Sequence, residues 1–161
     1  MLACSPALAA GPNLGQPLSQ AELAAWDINV LPDGTGLPKG SGTAAQGAPI
    51  YSQKCAACHG EQGKGGISAA LVGAPPMKDM SSPKTIANFW PYSTTLFDFI
   101  RRAMPFQQPR SLTDDEVYAL TAYLLAMNKL IAEGDVMNAQ TLPKVRMPNR
   151  DGFIPRFPER M

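Results

Sequence analysis

Cys55-Ala56-Ala57-Cys58-His59 gathers two of the chain's three cysteines and its only histidine into five residues. Whatever this cluster holds, the backbone must present three donor side chains from about one helical turn and then leave room beside them. The one further cysteine, Cys4, stands near the N-terminus, so a dense disulfide framework is excluded. At 161 residues the chain is expected to form a single domain. Its sixteen prolines and fourteen glycines predict a helical protein with long irregular connections. No apolar run approaches the roughly 20 residues of a membrane span. A formal charge of +1 lacks the dense basic face of a nucleic-acid binder. The charge is uneven, because Lys144, Arg146, Arg150, Arg156 and Arg160 face only Asp151 and Glu159 at the C-terminal end.

The C-x-x-C-H spacing is the attachment signature of c-type haem. Two cysteines three positions apart on one turn can each add a sulfur to a porphyrin vinyl group. The adjacent histidine then points its ring nitrogen at the iron. Other chemistries fit less well. A thioredoxin-like pair needs a preceding strand and a following helix, yet Gly60, Gly63, Gly65 and Gly66 follow here. A structural zinc site needs about four Cys or His ligands, and an iron–sulfur centre needs about as many.

A second axial ligand cannot be histidine, which leaves methionine or an open iron. Met104 is the preferred candidate. It ends a helical segment, precedes Pro105, and follows His59 by enough chain to return on the opposite face. Met77 and Met80 lie in the preceding loop, Met127 fits a core stripe, and Met1, Met137, Met147 and Met161 sit in terminal segments. A thioether favours ferrous iron, raises the potential relative to two histidines, and closes the site to oxygen or peroxide. His59 needs a backbone acceptor for its Nδ1–H, expected from Gly73-Ala74-Pro75-Pro76. Leu71 and Val72 are expected against the ring, and Tyr51, Trp90, Tyr92, Phe97 and Tyr123 in the pocket wall or in ordinary core packing. Arg101 and Arg102 are candidates for a propionate or for a solvated helix end.

Local signals place the helices. Ser19 and Glu22 form a capping box opening a helix over 20–26. Residues 28–42 read as a surface arm with turns at Asp33-Gly34 and Lys39-Gly40. Helical character then runs from Thr43 to Cys58, with Pro49 acceptable in a first turn starting near Ala48. Residues 60–83 read as loop, 85–90 as a brief helix and 94–103 as an amphipathic one. Thr113 and Glu116 form a second capping box, opening a helix that carries Val117, Leu120, Leu124 and Met127 and ends near Lys129 or Ile131. No segment alternates as a strand does. Residues 135–161 read as an extended tail. Ala7-Leu8-Ala9 has the small-x-small form of a secretory cleavage site, so the start reads either as a leader remnant or as an Ala-rich flexible terminus.

These ligands, the Leu71–Pro75 loop and Met104-Pro105 before the last helix resemble the class I c-type cytochromes. Longer stretches, Trp26–Pro38, Phe89–Pro105 and Leu112–Leu125, resemble the monohaem cytochrome subunits or electron acceptors of bacterial sulfite and sulfane dehydrogenases. The resemblance implies an all-α, class I cytochrome c-like fold with extended N- and C-terminal arms around one haem. It divides the chain into residues 1–18, a monohaem domain with its N-terminal arm at 19–131, and a proline-containing tail at 132–161. It implies one covalently attached haem c bound by Cys55, Cys58, His59 and Met104, with iron held by His59 and Met104. It also implies a periplasmic electron carrier, not an enzyme. The donor would be a molybdenum sulfite dehydrogenase and the acceptor a downstream cytochrome or oxidase. Two other readings stand beside it: a haem-dependent peroxidase or sulfur-compound oxidase, and an integral structural subunit of a sulfane dehydrogenase complex.

Overall fold

A computed structural model describes residues 14–154; the leader-like segment, Cys4, Met1, Met161, Arg156 and Arg160 lie outside them. The elements run α1 (Gln20–Trp26), β1 (Ser41–Thr43), α2 (Ala44–Lys54), α3 (Ala56–His59), α4 (Ile86–Phe89), α5 (Ser93–Ala103), α6 (Asp114–Met127) and β2 (Val136–Asn138), then a 3-10 turn at Leu142–Lys144.

Both expected capping boxes are present. Ser19 accepts from the Glu22 N–H, and Thr113 accepts from Glu116, whose carboxylate accepts from the Thr113 N–H at 2.8 Å. A third box sits at Thr43 and Gln46, so α2 starts at Ala44, one turn before the expected position. Pro49 therefore lies inside the helix, on its exposed side, where water can satisfy the carbonyl left without an N–H partner.

The core forms where α2 and α5 pack on α6. Phe97 and Tyr118 meet at 4.4 Å between ring centroids, and both are fully buried. The spacing in α6 predicts one buried stripe, yet Tyr118, Ala119, Thr121 and Ala122 are buried as well. The extra cover comes from the terminal segments. Tyr118 donates its hydroxyl hydrogen to Pro38 O at 2.9 Å, and β1 lies along the same helix.

Two expectations are corrected here. β1 pairs antiparallel with β2, Gly42 opposite Met137, so the fold is mostly helical with one small two-stranded sheet. Beyond residue 135 the chain is not a loose extension as far as residue 149: Met137, Leu142 and Met147 are core residues. At the other end the arm is tied down by Arg102, which donates to Ile28 O and Asn29 Oδ1, and by Arg110, which donates to Ala25 O at 3.3 Å. Helix α1 itself buries no residue.

Candidate haem site

Helix α2 delivers Cys55 as its C-cap, with the Cys55 N–H donating to Tyr51 O at 2.9 Å. The single turn α3 follows at once and carries Cys58 and His59. Gly60 then stops it in the left-handed region, at φ 79°, where a Cβ would stand 2.6 Å from Gly65 O. The glycine-rich loop turns back on the cluster. Gly65 N–H donates to His59 O, Ser68 N–H to Cys58 O, and both Leu71 and Val72 N–H to Gly63 O.

This return brings Ala69 O to 2.8 Å from His59 Nδ1. A carbonyl can only accept, so the Nδ1–H donates to it and Nε2 keeps its lone pair for a metal. The expected acceptor was the Gly73–Pro76 stretch. Instead the loop closes earlier, on Gly63, and Pro75 O accepts from Asn88 Nδ2 at 2.7 Å.

Cys55, Cys58, His59 and Met104 line one cavity of about 420 Å3. Met104 is the C-cap of α5, its N–H donating to Ile100 O at 3.1 Å. Met77 and Met80 are not among the cavity's lining residues, and Met80 is 73% exposed. Of the expected wall residues, Tyr51, Leu71 and Trp90 line the cavity, while Val72, Tyr92, Phe97 and Tyr123 do not. The Tyr51 hydroxyl donates to Gly60 O at 2.7 Å, and burial pushes its pKa up to about 12. Sequence reasoning does not single out Ile100, Leu120 and Leu124, which also line the cavity; their helical spacing shows only an apolar face.

The two arginines are engaged elsewhere. Arg101 pairs with Asp114 at 3.0 Å and Arg102 with Asp98 at 2.8 Å, and neither lines the cavity. The cations that do are Lys54, bonded to Glu116 at 3.2 Å, and Lys84, whose Nζ donates to Met80 O.

The donor set fits a covalently held haem c. Burial raises the Cys55 thiol to about 11, as an apolar surrounding does to a thiol. Cys55, Cys58 and His59 share the cavity with no fourth Cys, His, Asp or Glu among its lining residues, whereas a structural zinc site needs about four such ligands. One imidazole, one thioether and two neighbouring thiols around an apolar hollow match what haem attachment requires.

Comparison with known proteins agrees. A family model described as cytochrome c oxidase, cbb3-type, subunit III matches residues 42–124, which contain the cysteine–histidine cluster and Met104. The thiosulfate dehydrogenase of Stutzerimonas stutzeri (strain A1501) is 31% identical over 87 residues, 54% of this chain and 28% of that protein. The Cbb3-type cytochrome c oxidase subunit CcoP of Azospirillum sp. (strain B510) is 45% identical over 40 residues, 24% of this chain and 14% of that subunit. The chain thus spans less than a third of either curated relative. The crystal structure of the sulfane dehydrogenase SoxCD from Paracoccus pantotrophus superposes with a TM-score of 0.83 at 39% identity, covering 89% of this chain and 71% of that one. No helix among the described residues is long and apolar enough to cross a membrane. With the attachment cluster, the apolar hollow and the matched segment coinciding, the chain belongs to the cytochrome c family of cbb3-type oxidase subunit III, as a class I c-type cytochrome resembling subunits of sulfur-compound dehydrogenases.

Proposed function

We propose that this chain is a periplasmic monohaem carrier of single electrons. It accepts them from a molybdenum enzyme that oxidises sulfite or a sulfane sulfur, and it hands them to a downstream cytochrome or oxidase. The observation that carries this reading is the meeting of Cys55, Cys58, His59 and Met104 on one apolar cavity. The likeness to the sulfane dehydrogenase structure supports the choice of donor.

The chemistry that bound haem c supplies is reversible one-electron exchange at its iron. Cys55 and Cys58 would anchor it through thioether links to its vinyl groups. His59 would hold the iron through Nε2, and the Ala69 carbonyl holds the ring's orientation and tautomer. Met104 would hold the iron through its thioether, a soft sulfur that favours the reduced state. Tyr51, Leu71, Ile100 and Leu120 exclude water and lower the local dielectric. Attachment of this kind is made outside the bacterial cytoplasm, which accounts for the proposed location.

The test is reduction of the purified holoprotein by a sulfite dehydrogenase, with Met104→Ala beside it. Fast reduction and a far-red thioether–iron band in the native ferric protein are expected. Met104→Ala should lose the band, lower the potential and open the iron to carbon monoxide. If only Met77→Ala or Met80→Ala does so, the ligand is misassigned. A high-spin native spectrum would favour a peroxidase or oxidase instead.

A further inference from the structure

The chain after β2 is more than added core. Ser93, the first residue of α5, donates its buried hydroxyl to Leu142 O at 2.6 Å. Tyr92 forms a β-bridge with Arg146, and the Arg150 guanidinium stands 4.3 Å from the centre of the Tyr92 ring. Asn149 Nδ2 donates to Phe89 O at 2.6 Å, and Phe153 packs edge-on against the Phe89 ring at 5.6 Å. All five contacts fall on residues 89–93, the junction between α4 and α5.

That junction belongs to the cavity wall. Phe89 and Trp90 both line the cavity, and Trp90 packs on Phe99, another lining residue, at 5.4 Å. Phe99 stands on α5, whose C-cap is Met104. The clamp thus grips the start of the helix that ends at the candidate ligand.

We propose that Asn149 is a positioning residue for the haem site: through Phe89 it holds the α4–α5 junction, and so the approach of Met104 to the iron. The proposal rests on the reading of Met104 as the second axial ligand. Asn149 is the only clamp member that fixes the Phe89 backbone through a directed N–H donor. Gly152 provides a second handle, because a Cβ there would stand 1.8 Å from Asn149 Oδ1. Gly152→Ala therefore displaces the amide without altering residue 149.

The experiment titrates ferric holoprotein with imidazole, a competitor for the position Met104 occupies, and records the far-red band and the melting temperature alongside. Loss of one net hydrogen bond predicts a roughly three- to tenfold rise in apparent imidazole affinity in Asn149→Ala. Gly152→Ala should move it the same way. Asn149→Asp keeps the shape without the donor and should behave like Asn149→Ala. The proposal is overturned if Asn149→Ala and Gly152→Ala stay within twofold of the native affinity, even with lowered melting temperatures, or if Asn149→Asp retains it. A native protein without the far-red band would overturn the Met104 reading beneath it.

Discussion

Gly47 of α2 lies on the backbone of Ala119 in α6: a Cβ at position 47 would stand 2.1 Å from the Ala119 carbonyl oxygen. The α2 backbone approaches the α6 backbone closely here, beside the Tyr123 Cβ, and the crossing sets where α2 delivers Cys55. In an unhindered helix, Gly→Ala stabilises by roughly 0.5–1 kcal/mol. Gly47→Ala is expected to destabilise instead, by about 1–3 kcal/mol, because backbone must move to admit the methyl group. Urea unfolding of the holoprotein reads the sign directly.

Leu142 is fully buried, and its carbonyl accepts from Ser93. Leu142→Ala should cost about 2–5 kcal/mol, as for other core truncations. A change under about 0.5 kcal/mol, the usual range of an exposed site, would show that this segment is peripheral.

Thr94 is 1% exposed, and its hydroxyl has no hydrogen-bond partner among the described residues. A buried hydroxyl without a partner costs about 1–3 kcal/mol. Thr94→Val keeps the shape and removes the group, so a rise in thermal stability is expected in calorimetry.

The Glu116 carboxyl is held below its ordinary value of 4.5, chiefly by the Thr113 backbone N–H, with Lys54 adding to it. The unfolded chain thus binds this proton more readily than the native one. The stabilisation is complete above about pH 4.5 and fades as pH falls through the lowered native value. The stability gap between native protein and Glu116→Gln should therefore hold at neutral pH and narrow on acidification. Urea midpoints measured from pH 7 down to about pH 3 check this.

Phe106 lines the cavity yet is 80% exposed, an apolar side chain well placed for a partner surface. Phe106→Ser should leave the absorption spectrum and reduction by ascorbate unchanged. Reduction by a protein donor should slow several-fold, read by stopped flow; equal slowing with both reductants would point to damage at the site.

The parts of this protein legible in the amino-acid sequence are those decided within one or two helical turns. The attachment cluster depends on three-residue spacing, and the boxes at Ser19 and Thr113 join a cap to the acid three positions on. Met104 is set apart by its place before Pro105. The box at Thr43 and Gln46 has the same form, but Pro49 argues locally for a later start and masks it.

What the sequence determined by itself was local: the cysteine–histidine cluster that can hold a haem, and where α1 and α6 begin. Only the tertiary structure decided that Ala69, and not the Gly73–Pro76 stretch, meets His59, that Arg101 and Arg102 turn to Asp114 and Asp98, and that Ser41–Thr43 pairs with Val136–Asn138. The reason is physical. A three-residue strand is too short to show alternation, and its partner is supplied by residues far along the chain. Burial of Met137, Leu142 and Met147 likewise follows from where α5 and α6 leave apolar surface uncovered, which no periodicity in the C-terminal segment records.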